Sequence, residues 1–130
     1  MVVADTNVWA RAHLNDDAIQ ARKARKARGD AQGQGGVFVP LVVMAELAWV
    51  LRGRWERDRV LDALENLLRT RGVLIEAPDL VREAIDATRR GEGGGFADHL
   101  IAQVGFAHGA SGVLTFDRKY GRVPNVRLLK

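Results

Sequence analysis

Four carboxylates stand where an ordinary solvated acidic side chain is unexpected. Asp5 and Asp117 each end a short apolar run, and Asp98 opens a segment with helical spacing. Glu46 lies in residues 42–51, which are otherwise apolar. Grouped carboxylates repel one another unless a cation, protonation or basic neighbours neutralise them, and their hard oxygens suit Mg²⁺ or Mn²⁺. Asp98 alone could be a helix cap, and Asp5 and Asp117 could be turn residues, whereas no polar neighbour in its helix explains Glu46. The joint occurrence of all four favours a metal site.

Composition excludes several other chemistries. The chain has no Cys, which excludes a disulfide scaffold, a thiolate metal site and a Cys nucleophile. Its 3 His show no zinc-binding spacing. The 20 Lys and Arg exceed the 16 Asp and Glu by 4, which weakly favours polyanionic partners. No apolar run approaches the ~18 residues of a membrane span, and no secretory signal is evident, so we expect a cytoplasmic protein without membrane association.

The elements that must position the four carboxylates alternate between strands and helices. The 130 residues fit a single domain over residues 1–130, because no linker or composition break divides them. Val-rich runs predict strands buried on both faces at residues 2–4, 37–39, 73–75, 113–116 and 126–129. Apolar spacing and capping residues predict helices at residues 18–28, 41–52, 58–69, 79–89 and 96–107. This order predicts an α/β domain with a mostly parallel sheet, whose strand ends would gather the four carboxylates at one edge.

Two glycine-bearing stretches, residues 29–36 and 91–95, are predicted to be loops. Neither matches the glycine spacing of a nucleotide-binding loop. The second leads directly into the helix that carries Asp98, so it is either a plain connector or a mobile flap beside a site.

The order and spacing of the acidic segments resemble those of PIN domains, and within that group the VapC-like toxins of bacterial toxin–antitoxin pairs. Residues 2–7, 39–47, 96–102 and 115–117 carry the resemblance. It implies a three-layer domain in which helices flank a mostly parallel central sheet of about five strands. It also implies a metal-dependent ribonuclease that cleaves RNA by metal-activated water and is the toxin of such a pair.

The resemblance also assigns roles to individual residues. Asp5 and Asp98 would be direct ligands of Mg²⁺ or Mn²⁺. Glu46 and Asp117 would act through water or support a general base. Asn7 and Thr115 would be polar support around the metal. The partners implied are an RNA substrate, a cognate antitoxin protein and a second copy of the chain in a homodimer.

Basic residues could contact the RNA phosphates, although a solvated helix face explains most of them equally well. Arg118 and Lys119 follow Asp117 directly, and Arg22, Arg25 and Lys26 lie in a basic stretch. The histidines His13, His99 and His108 are expected to be structural or to face solvent. The tryptophans Trp9, Trp49 and Trp55 are expected to serve packing or an interface rather than base stacking.

Three other functions fit parts of this pattern. A phosphoacceptor receiver domain needs an acidic pair after the first strand and an Asp after the third, but Thr6 and Asn7 follow Asp5 and the third strand ends in Glu76. A haloacid-dehalogenase-like phosphatase needs Asp-x-Asp, and Asn7 replaces the second Asp. The stronger rival is a catalytically silent PIN scaffold that binds RNA or protein. Metal-ion titration would separate these functions.

Overall fold

The computed structural model describes all 130 residues, which form two compact units, Met1–Ala77 and Pro78–Lys130. The first unit contains β1 (Val2–Val3), α1 (Thr6–Leu14), α2 (Ala18–Gly33), β2 (Val37–Val39), α3 (Leu41–Arg52), α4 (Arg57–Arg69) and β3 (Val73–Ile75). The second contains α5 (Pro78–Arg90), α6 (Phe96–Ala107), β4 (Val113–Thr115), a 3₁₀ turn (Tyr120–Arg122) and β5 (Val126–Leu128). The prediction of a single domain over residues 1–130 stays a prediction.

All strand pairs are parallel, as predicted for an α/β fold. The first unit holds a sheet in the order β1-β2-β3, and the second holds the pair β4-β5. The five predicted strands are therefore present, but they are divided between sheets of 3 and 2 strands. In the first unit, α2 contacts β2 and α4 packs along β3.

Strand burial differs from the expectation of strands buried on both faces. Val37 and Val39 of the central strand β2 are buried. Val2 and Val3, by contrast, are 53% and 61% exposed, and Leu114 of β4 is 63% exposed. β1 is only two residues long and pairs with β2 alone, so it lacks the second neighbour that a central strand has.

The core of the first unit forms around α3 and α4. Their apolar spacing places one face of each helix inside, and the fully buried side chains are Met44, Leu47, Leu51, Leu61 and Leu64. Pro40 precedes α3 and offers no side-chain cap, so the Leu41 N–H donates instead to the Glu76 carboxylate at 2.7 Å. This contact fixes the start of α3 against the end of β3.

The helices α1 and α2 differ from the sequence-based expectation, because α1 was not predicted and α2 is longer than predicted. α1 begins directly after Asp5 and ends at Asn15, whose φ of 57° is left-handed. Arg25 then donates to the Ala12 carbonyl at 3.1 Å and to the Asn15 side chain at 3.3 Å, so α2 satisfies the end of α1. The predicted loop at residues 29–36 is wrong in its first part, because α2 continues through Gly33.

The second unit is built on the packing of α5 against α6. Its buried face includes Val81, Ile85, Phe96 and Leu100. Thr88 is buried in the same layer, and its hydroxyl donates to the Ala84 carbonyl at 2.7 Å, so burial leaves no unpaired donor there.

Two glycines in the first unit should respond in opposite ways to the same substitution. Gly29 lies inside α2, and a Cβ added there would meet no atom within 4 Å, so Gly29→Ala should raise the free energy of unfolding by about 0.5–1 kcal/mol. Gly72 has a φ of +80°, and a Cβ there would lie 2.8 Å from the Gln32 carbonyl oxygen. Gly72→Ala should therefore lower the free energy of unfolding by about 1–3 kcal/mol.

Urea unfolding of the two variants beside the wild type measures both effects. A neutral or destabilising Gly29→Ala would contradict the continuation of α2 through this position.

Candidate active-site carboxylates

Asp5 caps the start of α1. Its Oδ1 accepts a hydrogen bond from the Val8 N–H at 3.3 Å, while Oδ2 makes no hydrogen bond. The side chain is exposed. One oxygen thus fixes the carboxylate, and the other faces no protein donor.

Glu46 is brought beside Asp5 through Thr6. The Thr6 hydroxyl donates to Glu46 Oε1 at 3.1 Å, and Thr6 is the first residue of α1, directly after Asp5. Asp5 and Glu46 both line an open pocket of about 510 Å³ in the first unit. Asn7 lines the same pocket. The first unit therefore gathers two of the four carboxylates, with a hydroxyl and an amide, around one cavity.

Glu46 is exposed, although its apolar neighbours suggested burial. α3 is apolar on more than its core face, because Val42 is 63% and Trp49 is 66% exposed. Apolar neighbours in sequence therefore did not mean an apolar environment for Glu46.

Asp98 occupies the first turn of α6. Its Oδ2 accepts from the Gly95 N–H at 3.1 Å, so the side chain satisfies a donor that the start of the helix leaves unpaired. The residue is half-buried, and Oδ1 makes no hydrogen bond.

Asp117 follows β4 and organises the turn after it. Its Oδ1 accepts from the Lys119 N–H at 2.9 Å and from the Tyr120 N–H at 3.1 Å. Its own N–H donates to the Thr115 hydroxyl at 3.0 Å. Thr115 thus contacts the backbone of Asp117, and Oδ2 of that carboxylate makes no hydrogen bond.

Tyr120 connects Asp98 and Asp117 within the second unit, a role that was not predicted from the sequence. Its N–H contacts the Asp117 carboxylate, and its hydroxyl donates to the Asp98 backbone carbonyl at 2.7 Å. Burial, and secondly the charge of Asp98, raise the pKa of Tyr120 to about 12. The only available signal was the position of this tyrosine three residues after Asp117.

The glycine-rich loop before α6 is packed against its own unit. His99 is buried, and its Nε2 lies 2.7 Å from the Gly93 carbonyl, which a neutral Nε2–H tautomer would satisfy. The Tyr120 ring meets the His99 ring edge-on at 5.6 Å. Gly93 has a φ of +145° and faces the Lys119 carbonyl so closely that a Cβ would clash. These contacts favour a packed connector over a mobile flap, and His99 is structural as expected.

The donor chemistry of the four carboxylates fits a divalent cation. In each carboxylate, one oxygen accepts a hydrogen bond from the protein and the other oxygen accepts none. Hard carboxylate oxygens are the ligands that Mg²⁺ and Mn²⁺ prefer. Within either unit, no three His, Asp or Glu side chains lie close enough together to hold a metal. The prediction that all four carboxylates serve one metal site stays a prediction.

The basic residues predicted to contact RNA differ in their availability. Arg25 is engaged with the end of α1, and Lys26 pairs with Asp30 at 3.0 Å. Arg22, Arg118 and Lys119 are exposed. Their contacts with RNA stay a prediction, but Arg25 has a structural role that composition did not reveal.

The remaining aromatic and histidine residues divide into packed and exposed groups. Trp9 is fully buried, and the His13 Nδ1 lies 2.7 Å from its carbonyl. Burial, and less strongly the charge of Arg28, lower the pKa of His13. His108 is exposed. Trp49 is exposed as well, so of the two roles expected of it, packing or an interface, the first is not observed within its unit.

Comparison with protein families gives one match. The model of the family described as PIN domain matches residues 2–126, which is nearly the whole chain. No curated protein and no solved structure matches the chain significantly. None of the helices has the length and apolar character needed to cross a membrane.

The buried hydroxyl of Tyr120 gives a prediction that needs no knowledge of activity. Tyr120 is the only tyrosine, so the ultraviolet absorbance of tyrosinate reports this residue alone. We expect a titration midpoint at about 12 in the folded protein and near ~10 in urea. Because the folded pKa is the higher one, the stabilisation is complete below ~pH 10 and is lost as the pH rises towards 12.

Tyr120→Phe is the matched variant, since it keeps the ring and removes the donor to Asp98. It should lower the free energy of unfolding by about 1 kcal/mol at neutral pH. A folded-state midpoint equal to that in urea would show that the hydroxyl is not buried.

Proposed function

The chain belongs to the PIN domain family, and from that membership and its acidic side chains we propose that it is a metal-dependent ribonuclease. PIN domains are generally nucleases that use divalent metal ions. The finer proposal is that this chain hydrolyses RNA phosphodiester bonds with Mg²⁺ or Mn²⁺ held by Asp5, Glu46, Asp98 and Asp117.

The four carboxylates share a geometry that is compatible with this proposal. Each is fixed by a hydrogen bond to one of its oxygens and retains a second oxygen for an external ligand. Asp17 caps α2 in the same way, so the observation that carries the proposal is the match of the PIN domain family to residues 2–126, together with the pocket that Asp5 and Glu46 share. The exposure of Asp5, Glu46 and Asp117 leaves those second oxygens accessible.

In the mechanism we propose, Asp5 and Asp98 are the direct ligands. Glu46 and Asp117 act through water or as support for a general base. When bound, the cation lowers the pKa of a coordinated water and neutralises charge on the scissile phosphate. The protein keeps the ligands in place through Thr6, which holds Glu46, and through Tyr120, which contacts Asp98 and Asp117.

RNA is a polyanion, so binding beside carboxylates needs cations from the protein. Arg118 and Lys119, exposed directly after Asp117, are the residues we propose for this contact, with Arg22 as a further candidate. Asn7 and Thr115 would support the ligands, since Asn7 lines the pocket of Asp5 and Thr115 contacts the backbone of Asp117.

We further propose the cellular role that the sequence resemblance implies. In that role the chain is the VapC-like toxin of a toxin–antitoxin pair. It acts in the cytoplasm as a homodimer and is inhibited by a cognate antitoxin. The resemblance of the acidic segments supports this role.

Cleavage of a mixed RNA pool tests the ribonuclease. Purified protein should cut RNA with Mn²⁺ or Mg²⁺ and not with EDTA. Asp98→Asn should reduce cleavage at least ~100-fold while the fold is retained, because an Asn oxygen can still accept from Gly95. The matched control is Asp86→Asn on α5, an exposed carboxylate whose loss should leave cleavage unchanged.

The outcomes separate the candidate functions. RNA binding without cleavage by folded wild-type protein would favour the catalytically silent scaffold. Cleavage that survives both EDTA and Asp98→Asn would contradict the assignment of the site.

Metal binding should also be visible as stability. Mn²⁺ should raise the melting temperature of the wild type in proportion to the logarithm of its concentration above the dissociation constant. Asp5→Asn can still cap α1, so it should melt at or above the wild-type temperature without metal and lose the response to Mn²⁺. Differential scanning calorimetry of both proteins measures this, and an undiminished response in Asp5→Asn would remove that residue from the ligand set.

A further inference from the structure

An exposed indole lies at the pocket that contains Asp5 and Glu46. Trp49 follows Glu46 by one helical turn on α3 and lines the same cavity. It is 66% exposed, whereas Trp9 in the same unit is completely buried. The core packing of this unit therefore does not use the Trp49 ring, which is accessible to a ligand in the pocket.

Arg52 places a cation on this indole. Its guanidinium carbon lies 4.8 Å from the centre of the Trp49 ring, one turn further along α3. The contact restricts the ring and covers part of it, and Arg52 itself remains exposed. A carboxylate, an aromatic ring and a guanidinium thus follow one another along one helix, at positions 46, 49 and 52.

We propose that Trp49 stacks on an unpaired base of single-stranded RNA while Arg52 contacts a neighbouring phosphate. The inference rests on the proposed ribonuclease function and adds two substrate-binding residues to it. Bases in a duplex are already stacked and paired, so only a single strand or a loop can present a base to the indole. An aromatic platform beside a cation is how proteins hold single strands without reading sequence.

The surroundings of Trp49 favour RNA over a protein partner. Trp49 borders the pocket that contains Asp5 and Glu46, where the proposed function places the scissile phosphate, and the Arg52 guanidinium lies over its ring. A base with its phosphate can contact both the ring and the guanidinium. Asp and Glu, the residue types that line this pocket with Trp49, are depleted at the centres of protein interfaces.

Binding of two polyanions tests the stacking directly. Poly(A) offers bases and phosphates, and inorganic polyphosphate offers phosphates alone. In EDTA, Trp49→Ala should weaken poly(A) binding about 5- to 100-fold and leave polyphosphate binding unchanged. Trp49→Phe should retain most of the affinity for poly(A), and Arg52→Ala should weaken binding of both polyanions. Val42→Ala is the control, because Val42 is an exposed α3 residue that does not line the pocket.

Several results would overturn the inference. If Trp49→Ala lost affinity equally for poly(A) and polyphosphate, the ring would not contact a base. Absence of poly(A) binding by the wild type would also contradict the stacking. Conversion of a dimer to a monomer by Trp49→Ala in sedimentation, with poly(A) affinity retained, would assign the ring to an interface between copies.

Cleavage kinetics separate this inference from the proposed function. If the wild type cleaves single-stranded RNA with metal, Trp49→Ala should raise KM by the same factor as the loss of poly(A) affinity, with a smaller effect on kcat. Metal-dependent cleavage with an unchanged KM in Trp49→Ala would overturn the stacking role and leave the ribonuclease intact. Absence of cleavage by the wild type would contradict the ribonuclease, while the EDTA binding experiment would still decide the stacking.

Discussion

The local fold depends on how four carboxylates, Asp5, Glu46, Asp98 and Asp117, are oriented without ion pairs. Each of the four accepts a hydrogen bond from a neutral donor. Asp5, Asp98 and Asp117 use backbone N–H groups at the start of a helix or turn, and Glu46 uses the Thr6 hydroxyl. These donors orient a carboxylate and leave its charge in place, whereas an arginine would cancel it. Much of the local fold, including the start of α1 and the turn after β4, follows from these contacts.

The sequence was sufficient to predict those helices whose bounds are set by local residue patterns. α3 and α6 have the predicted bounds because apolar spacing, and Pro40 before α3, mark them without help from distant residues. α1 was missed because Asp5 was interpreted only as the residue after the first strand, whereas it also caps a helix that begins at Thr6. Gly29 suggested a loop, but the helix continues past it because nothing in its surroundings opposes it.

For the candidate site, the sequence predicted where some of the carboxylates lie in the fold. Asp98 lies in the first turn of a helix and Asp117 follows a strand, as their local sequence contexts indicated. That these residues form one site stays a prediction. The exposure of Glu46 could not be predicted, because it depends on which face of α3 the rest of the unit covers. Tyr120 and Arg25 were missed because each acts over a distance in sequence, 22 residues to Asp98 and 13 to Ala12. Such contacts become visible only when the chain is folded.

The glycine run before α6 has a consequence for how this chain can vary. A glycine-rich segment such as this one is usually expected to tolerate substitutions well. Gly93 and Gly94, however, combine left-handed backbone angles with close neighbours, namely the Lys119 carbonyl and the Tyr120 ring. Any side chain at these two positions would press on the turn that Asp117 organises. In a library of random variants, we therefore expect substitutions at Gly93 and Gly94 to be tolerated as poorly as substitutions in the core. Gly109 has open space around it, so a substitution there costs only the strain of its left-handed backbone angle.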